Sequence, residues 1–348
     1  MMKLSTFWVL WSRKLFVFAL GFILLGQTTG LSQVQVEFQP LVAKRTGENL
    51  FDSVYRSWKS VPFRSNRVFV FYQDGCFYTQ KELCIVRFEK GERVFYQKVL
   101  KTADTNPQKR RYVGFPVAGD LPDLNVGFRH NYRDFRIYDV QLARKNYFII
   151  PLGRGIVCGR EALLFRLEPK KMGLSFFIKV DRLSGSILAA YRFDSDGVFQ
   201  SAVVCENFEI GNFPLPKGGK FWKPRRKIKK VRDVLAGFAK IGFPLRHLPL
   251  APNTFRLLEA HSSADNLAGT SWLTLLYTDG VVPQFILFGK RSGASLDYGK
   301  QARGFSIKNL QRGSFVQISE SQGGYSVLYV GLKNGKKMLP KLFLSIFR

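Results

Sequence analysis

The chain has 348 residues, of which 46% are hydrophobic and 33 are phenylalanine. This apolar content excludes an intrinsically disordered protein, and the length is sufficient for two domains of ordinary size. Lysine and arginine number 54 against 25 acidic residues, and the net charge of +29 favours anionic partners without specifying which.

The N-terminus has the order of a secretory signal. Arg13 and Lys14 precede an apolar run at 15–25, and small and polar residues follow at 26–30. The run is shorter than the roughly 20 residues of a membrane-spanning helix, although apolar residues at 7–11 could extend it. We therefore expect residues 1–30 to be a cleaved signal peptide or, alternatively, a retained N-terminal anchor. An exported chain rarely meets nucleic acid, so lipid phosphate, an acidic peptide or the membrane surface is the expected anionic partner.

Four cysteines in an oxidising compartment permit disulfide bonds, with three ways of forming two pairs. Cys76 and Cys84 flank a predicted hairpin turn, which makes them the candidate pair. The alternative is that all four cysteines are small buried apolar side chains.

The first part of the exported chain begins with a predicted amphipathic helix at 47–60, because Leu50, Val54 and Trp58 fall on one side. A charged loop is predicted at 102–111. Predicted strands surround that loop and occupy 67–72, 83–88, 94–100, 135–140, 147–151, 162–168, 174–181, 187–193 and 199–208. The Gly-rich segment at 151–155 is predicted as a loop between strands.

Two of these strands show clear alternation of apolar and mixed residues. Leu163, Phe165 and Leu167 share one face of the strand at 162–168. Phe176 and Ile178 share one face of the strand at 174–181. Such alternation is typical of an antiparallel sheet that curves around an apolar interior or covers helices.

The composition changes to proline, glycine and basic residues at 212–248, which indicates a linker with a short helix at 233–241. Its basic run could tether an anionic lipid or protein, or it could be a solvated spacer. The candidate residues for an anionic partner are Lys223, Arg225, Arg226, Lys227, Lys229 and Lys230. A second strand-rich segment occupies 249–348, with predicted strands at 272–277, 284–288, 315–319 and 325–331.

Motifs that would indicate catalysis or metal binding are missing from the sequence. The three histidines are scattered, no cysteine pair has zinc-finger spacing, and no phosphate-binding glycine loop occurs. Asp194 and Asp196 lie in a predicted tight turn, where aspartate usually caps its own backbone. We expect neither an enzyme nor a cofactor or metal site.

The order of several segments resembles the RseB/MucB family. In the first domain these are Gly-Arg-Glu-Ala at 159–162, Ile-Lys-Val-Asp-Arg-Leu-Ser-Gly at 178–185 and Phe-Glu-Ile-Gly at 208–211. In the second they are Leu-Pro-Leu-Ala-Pro-Asn at 248–253 and Leu-Leu-Tyr-Thr-Asp-Gly-Val at 275–281. The extreme basic charge departs from the family pattern.

The resemblance implies a mainly β, α+β protein with three parts. Residues 31–211 would form an unclosed antiparallel barrel wrapped on helices, shaped like LolA and LolB. Residues 212–248 would be the linker, and 249–348 a smaller antiparallel sheet domain. Members of the family are periplasmic regulators of envelope stress that bind the periplasmic region of a membrane-spanning anti-sigma factor and respond to lipid-like signals. The resemblance implies the same partner for this chain, together with an anionic lipid or lipopolysaccharide-like ligand.

On this basis Phe165, Phe176, Ile178 and Tyr191 are candidates for lining a lipid pocket, with ordinary core packing as the alternative. Two other functions remain open. A lipoprotein or lipid carrier of the LolA/LolB type would share the first domain. A polyanion-binding envelope protein would depend on the basic run at 223–230 and would lose binding as salt rises.

Overall fold

The computed structural model describes residues 36–37, 49–73, 76–89, 92–104, 134–171, 173–215, 229–242, 254–265, 270–291, 308–312, 315–322 and 325–332. This part contains two antiparallel sheets and three helices, which confirms the predicted mainly β fold class. The predicted signal or anchor at 1–30 and most of the basic run lie outside the described residues. No helix within the described ranges is long and apolar enough to cross a membrane.

The large sheet contains ten strands in the order β1-β5-β6-β7-β8-β9-β2-β3-β4, with β10 paired to β2. The strands are β1 (Val36–Glu37), β2 (Phe63–Gln73), β3 (Cys76–Glu89), β4 (Glu92–Asp104), β5 (Tyr147–Val157), β6 (Arg160–Pro169), β7 (Ser175–Asp181), β8 (Ile187–Phe193), β9 (Phe199–Cys205) and β10 (Glu209–Ile210). In the described residues the end strands β1 and β4 do not pair with each other, so the sheet is not closed into a barrel.

Helix α1 (Leu50–Ser60) packs on the inner face of this sheet and confirms the amphipathic helix predicted from the sequence. Leu50, Phe51 and Val54 are buried, as the 3.6-residue period requires, and share one apolar core with side chains of β6 and β7. At the end of the helix, Ser57 Oγ lies 2.6 Å from Ser186 Oγ and fixes the helix to the turn before β8. The interior of the curved sheet is therefore occupied largely by α1.

Helix α2 (Val140–Asn146) replaces part of the strand that was predicted at 135–140. The Asp139 side chain accepts a hydrogen bond from Leu142 N at 2.9 Å and caps the helix. The preceding backbone bonds to the small sheet instead of a neighbouring strand, since Tyr138 N donates to Gly280 O at 2.8 Å. The strand prediction was wrong because Phe135, Ile137 and Tyr138 are buried without pairing to a strand.

Two predicted turns in the large sheet were also wrong. The segment between Cys76 and Cys84 is continuous strand, because β3 extends from Cys76 to Glu89. The Gly-rich segment at 151–155 lies inside β5, where a bulge between Pro151 and Gly153 absorbs the irregularity.

The small sheet contains seven strands in the order β11-β12-β13-β14-β17-β16-β15. Its strands are β11 (Lys229–Lys230), β12 (Arg256–Asp265), β13 (Thr270–Thr278), β14 (Pro283–Arg291), β15 (Lys308–Arg312), β16 (Phe315–Gln322) and β17 (Tyr325–Leu332). Helix α3 (Val234–Ile241) packs on this sheet through Phe238, whose ring centroid lies 4.7 Å from that of Phe288. Residues 229–242, which fall within the predicted linker, thus contribute to the core of the small sheet.

Candidate functional site

Three of the four predicted pocket residues lie together on the inner face of the large sheet. Phe165, Phe176 and Ile178 are each at most 3% exposed and belong to the core that α1 covers. The Phe176 ring meets Phe135 at a centroid distance of 5.1 Å in an edge-on contact. Other protein side chains pack over these three residues, so they do not line an open pocket.

Tyr191 does not join them. Its backbone register partner is Phe177 on β7, and the two ring centroids are 5.6 Å apart, so both side chains project from the opposite face of the sheet. Ala190, the register partner of Ile178, is the β8 residue that faces inward. The placement of Tyr191 in the pocket was wrong because side-chain parity, which depends on the register, places the tyrosine on the outer face.

A cavity of about 50 Å³ lies beside this core, between α1 and the strands β2, β8 and β9. Small inward-facing side chains on β8 and β9 leave this space next to the helix. Its lining is mainly apolar and includes Val54, Trp58, Phe63, Leu188, Ala190 and Val203. The sequence carries a weak signal for it, since Ala190 is small at a position where the neighbouring strand places Ile178.

The volume decides how much of a ligand the cavity accommodates. An engineered apolar cavity that accepts benzene measures about 150 Å³, roughly three times this space. The cavity can therefore hold only the end of an acyl chain.

A buried ionic cluster borders the cavity. Arg67 Nε donates to Glu82 Oε1 at 2.5 Å, and Arg67 Nη1 donates to Asp134 Oδ2 at 2.8 Å. All three side chains are buried, and Glu82 also accepts hydrogen bonds from Gln80 and Gln97. Burial disfavours the guanidinium charge, but Asp134, Cys84 and Glu82 outweigh it and hold the pKa of Arg67 well above its ordinary value.

The described contacts of this cluster pair one guanidinium with two carboxylates. A second guanidinium, that of Arg136, lies 5.3 Å from the centre of the Trp58 ring, and Trp58 lines the same cavity. Charges of both signs therefore lie beside the cavity.

The predicted basic residues lie apart from this cavity where the structure describes them. Lys229 and Lys230 form β11 at the edge of the small sheet, and Lys230 Nζ donates to Glu259 Oε1 at 3.3 Å. Lys223, Arg225, Arg226 and Lys227 lie outside the described residues. The structure therefore does not bring the described basic candidates and the pocket candidates together.

The predicted disulfide between Cys76 and Cys84 was wrong. Both residues lie on β3, eight positions apart, and an extended strand separates them by about 27 Å. A disulfide requires Cα atoms within about 7 Å.

The two sheets meet where the turn between β13 and β14 inserts against α2; we name residues 278–282 the docking turn. Val281 and Val282 of this turn are buried in the core of the large sheet together with Ala143. Asn146 Nδ2 donates to Asp279 O at 2.8 Å, and the Tyr147 hydroxyl donates to Asp279 Oδ2 at 2.8 Å. The Thr-Asp-Gly turn was predicted, but its contact with a segment more than 130 residues earlier was missed.

The Asp279 carboxylate organises the docking turn from within. Its Oδ1 accepts hydrogen bonds from Val281 N at 2.9 Å and Val282 N at 2.7 Å. Burial raises the pKa of Asp279, and these hydrogen bonds only partly oppose that shift. Burial, and next the Asp279 charge, also raise the pKa of Tyr147.

The comparison with solved structures bears on this architecture. A crystal structure of MucB aligns with a TM-score of 0.52 and 16% identity, over 87% of this chain and 98% of that chain. The fold is that of MucB. Two structures of MucB with MucA, one of them the complex from Pseudomonas aeruginosa, give TM-scores of 0.48 and 0.45 at 15% and 14% identity. They cover 84% and 82% of this chain and 96% and 93% of the matched chains.

No protein-family model matches the chain, and no curated protein matches it. The MucB-like fold includes both sheets, since the alignment extends over nearly all of MucB. In the described part of this fold, no three acidic, histidine or cysteine side chains are grouped to hold a metal ion. The arrangement is a curved sheet filled by one helix, a small apolar cavity beside that helix, and a second sheet docked at one end.

Proposed function

We propose that the chain is a periplasmic, non-enzymatic regulator that binds the periplasmic region of a membrane-spanning anti-sigma factor. The MucB fold over both sheets supports this proposal most directly. MucB has been crystallised in complex with MucA(peri). A high positive charge would add electrostatic steering toward an acidic partner segment.

The binding partner can be identified by a pull-down. The tagged exported chain is incubated with detergent-solubilised membranes of its own organism, and captured proteins are identified by mass spectrometry. We expect a single-pass protein with a cytoplasmic sigma-factor-binding domain, captured through its periplasmic region. Capture of lipoproteins alone, together with transfer of a labelled lipoprotein between membranes, would instead establish a carrier.

We further propose that the cavity beside α1 senses lipid by accepting the end of an acyl chain. Because the cavity is small, the ligand would displace α1, and this would shift the protein between partner-binding and free states. The cavity is too small for a headgroup, which would stay outside, where surface lysines and arginines could pair with it.

A cavity-filling substitution tests lipid sensing separately from partner binding. Ala190→Val adds two methyl groups at the cavity wall, whereas Ala239→Val adds them on the exposed side of α3 and serves as the matched control. We expect Ala190→Val to weaken binding of a fluorescent fatty acid about tenfold, with partner binding unchanged. Equal lipid binding by both variants would contradict a role for the cavity.

We also propose that the basic run at 223–230 contributes to binding an anionic partner. Replacing Lys223, Arg225, Arg226 and Lys227 by glutamine removes four positive charges, and replacing the exposed Lys98 and Lys101 on β4 is the control. We expect only the first variant to reduce the steepness with which partner affinity falls as salt rises. The same salt dependence in both variants would show that the run is a spacer.

A further inference from the structure

The turn between β5 and β6 carries a cysteine at an unusual position. Cys158 and Gly159 are its two central residues, and both have positive φ values, 44° and 75°. Two-residue hairpins with this backbone favour asparagine, aspartate or glycine at the first position. A cysteine there adopts a left-handed conformation that costs about 1 kcal/mol for a side chain of its kind.

The same turn packs against the end of β9, although three strands separate β5 from β9 in the sheet order. The curvature of the large sheet brings them together. One apolar cluster contains Val157, Ala162, Leu188, Cys205 and Phe208, with Cys158 and Phe63 packed against it. The Arg160 guanidinium lies 5.7 Å from the centre of the Phe208 ring and holds the turn over this cluster.

We propose that Cys158 and Cys205 form a disulfide bond when the chain folds in an oxidising compartment, a location that rests on the export included in the proposed function. The oxidant is a disulfide-bearing compound such as oxidised glutathione. One cysteine thiolate attacks the oxidant disulfide and forms a mixed disulfide, with release of one oxidant thiol. The second cysteine thiolate then displaces the remaining oxidant thiol. Two cysteine thiols are thereby oxidised and the oxidant is reduced to two thiols.

The electrostatics of neither cysteine stabilise the thiolate, the form that makes a disulfide easy to reduce. Burial, and next the nearby Cys205, raise the pKa of the Cys158 thiol to about 12, and burial raises the pKa of Cys205 to about 11. Stabilised thiolates make a disulfide easy to reduce, and these two thiols have the opposite character. Because neutral thiols react slowly, the bond would form during folding, before the cluster closes.

The alternative pairing of Cys205 with Cys84 is excluded by the register. Cys84 lies opposite Ser65 on one side of β2, and Cys205 lies opposite Arg67 on the other side. Two strand spacings separate them by about 9.5 Å, which exceeds the reach of a disulfide. Among the cysteines placed by the described strands and turns, Cys158 is the one that shares a cluster with Cys205.

Peptide mapping tests the bond. The full-length chain is refolded in a glutathione redox buffer, alkylated under denaturing conditions and digested with trypsin. We expect residues 155–160 to be linked to residues 193–217 in most molecules, with the link lost on reduction. Alkylation of both Cys158 and Cys205 in most molecules, or a link between other cysteines, would overturn the proposal.

Thermal unfolding supplies a second readout. The bond would close a loop of about 47 residues, and we expect reduction to lower the melting temperature by roughly 5 to 10 °C. Cys158→Ser should show no such difference between oxidised and reduced samples, whereas Cys76→Ser should behave like the wild type. An equal redox effect in Cys158→Ser and wild type would contradict the proposed pair.

These tests need no anti-sigma factor. Detection of the disulfide would remain valid if the pull-down found no partner. A partner found by pull-down would remain valid if peptide mapping found no disulfide. The two proposals therefore fail separately.

Discussion

At the scale of single residues, Arg67 compensates two buried carboxylates at once. Its guanidinium bonds to Glu82 and Asp134, and all three side chains are largely removed from water. A buried ion pair contributes little net stability, but breaking one leaves a charge that neither solvent nor a partner neutralises. Arg67 therefore matters to the large sheet mainly because its removal would take away the cation that Glu82 and Asp134 both contact.

We predict that Arg67→Met lowers the free energy of unfolding by about 3 to 5 kcal/mol, measured by urea denaturation at neutral pH. Adding Glu82→Gln and Asp134→Asn to the same chain should recover most of that loss, because the two carboxylates that Arg67 contacts are then neutral as well. A loss below about 1 kcal/mol in the single variant would show that water reaches the cluster.

Asp279 gives a second prediction at this scale, in the pH dependence of stability. Its folded-state pKa lies above the ordinary 3.8, so between these two values the folded chain holds a proton that the unfolded chain has lost. Stability from this group is thus complete below pH 3.8 and falls as pH rises through the folded pKa.

We expect Asp279→Asn to remove this decrease, which amounts to at most about 1.4 kcal/mol per pH unit. The free energy of unfolding would be measured by urea titration from pH 4 to 7. Asp196→Asn, in an exposed turn, is the control and should keep the wild-type slope. A wild-type slope in Asp279→Asn would contradict the shifted pKa.

At the scale of elements, local sequence patterns predicted the helices and strands whose structure depends mainly on their own side chains. The apolar face of α1 and the alternation in β6 and β7 are examples, because periodicity and burial coincide there. Turn chemistry was equally informative: Asp194 accepts hydrogen bonds from Asp196 N and Val198 N, and Gly185 has a φ of 72°.

The misplacement of Tyr191 has its physical cause in the strand register. Whether Tyr191 or Ala190 faces inward is decided by the pairing of β8 with β7, and a shift of one residue would reverse it. The shared cluster of Cys158 and Cys205 depends instead on the curvature of the sheet, which spans the three strands between β5 and β9. No local pattern in the sequence records either fact.

Helix α1 is the element whose packing is easiest to test. Phe51 is fully buried against the large sheet, so Phe51→Ala leaves a cavity in its core and should cost about 3 to 5 kcal/mol in urea unfolding. Leu235→Ala, on the exposed side of α3, should change stability by less than about 0.5 kcal/mol. Similar values for the two variants would mean that α1 is not part of the cooperative core.

At the scale of the whole molecule, the docking turn determines how the two sheets are joined. It combines burial of Val281 and Val282 with hydrogen bonds from Asn146 and Tyr147 to Asp279. The ion pair between Arg256 and Asp139 adds a link at the surface, where such pairs contribute little. This contact was not predictable from the sequence, since two apolar residues after an Asp-Gly turn are equally typical of a strand that begins.

The docking turn makes Gly280 indispensable for this contact. Its φ is 107°, and a Cβ atom at this position would lie 2.2 Å from Ala143 N, a backbone atom of α2 that cannot rotate away. Gly280→Ala therefore adds a steric clash to the ordinary backbone cost, and the two sheets should separate. Gly159→Ala is the matched control, because its φ is also positive, at 75°, but nothing lies within 4 Å of its added Cβ.

We expect Gly159→Ala to lower stability by about 1 kcal/mol while unfolding stays cooperative, and Gly280→Ala to lower it by at least about 2 kcal/mol. In calorimetry the second variant should show two transitions, one for each sheet, because the contact that couples them is lost. Limited proteolysis should also cleave it faster between the sheets, within 216–228. A single transition in Gly280→Ala at the melting temperature of Gly159→Ala would show that the docking turn does not couple the sheets, and that each unfolds as it would without the other.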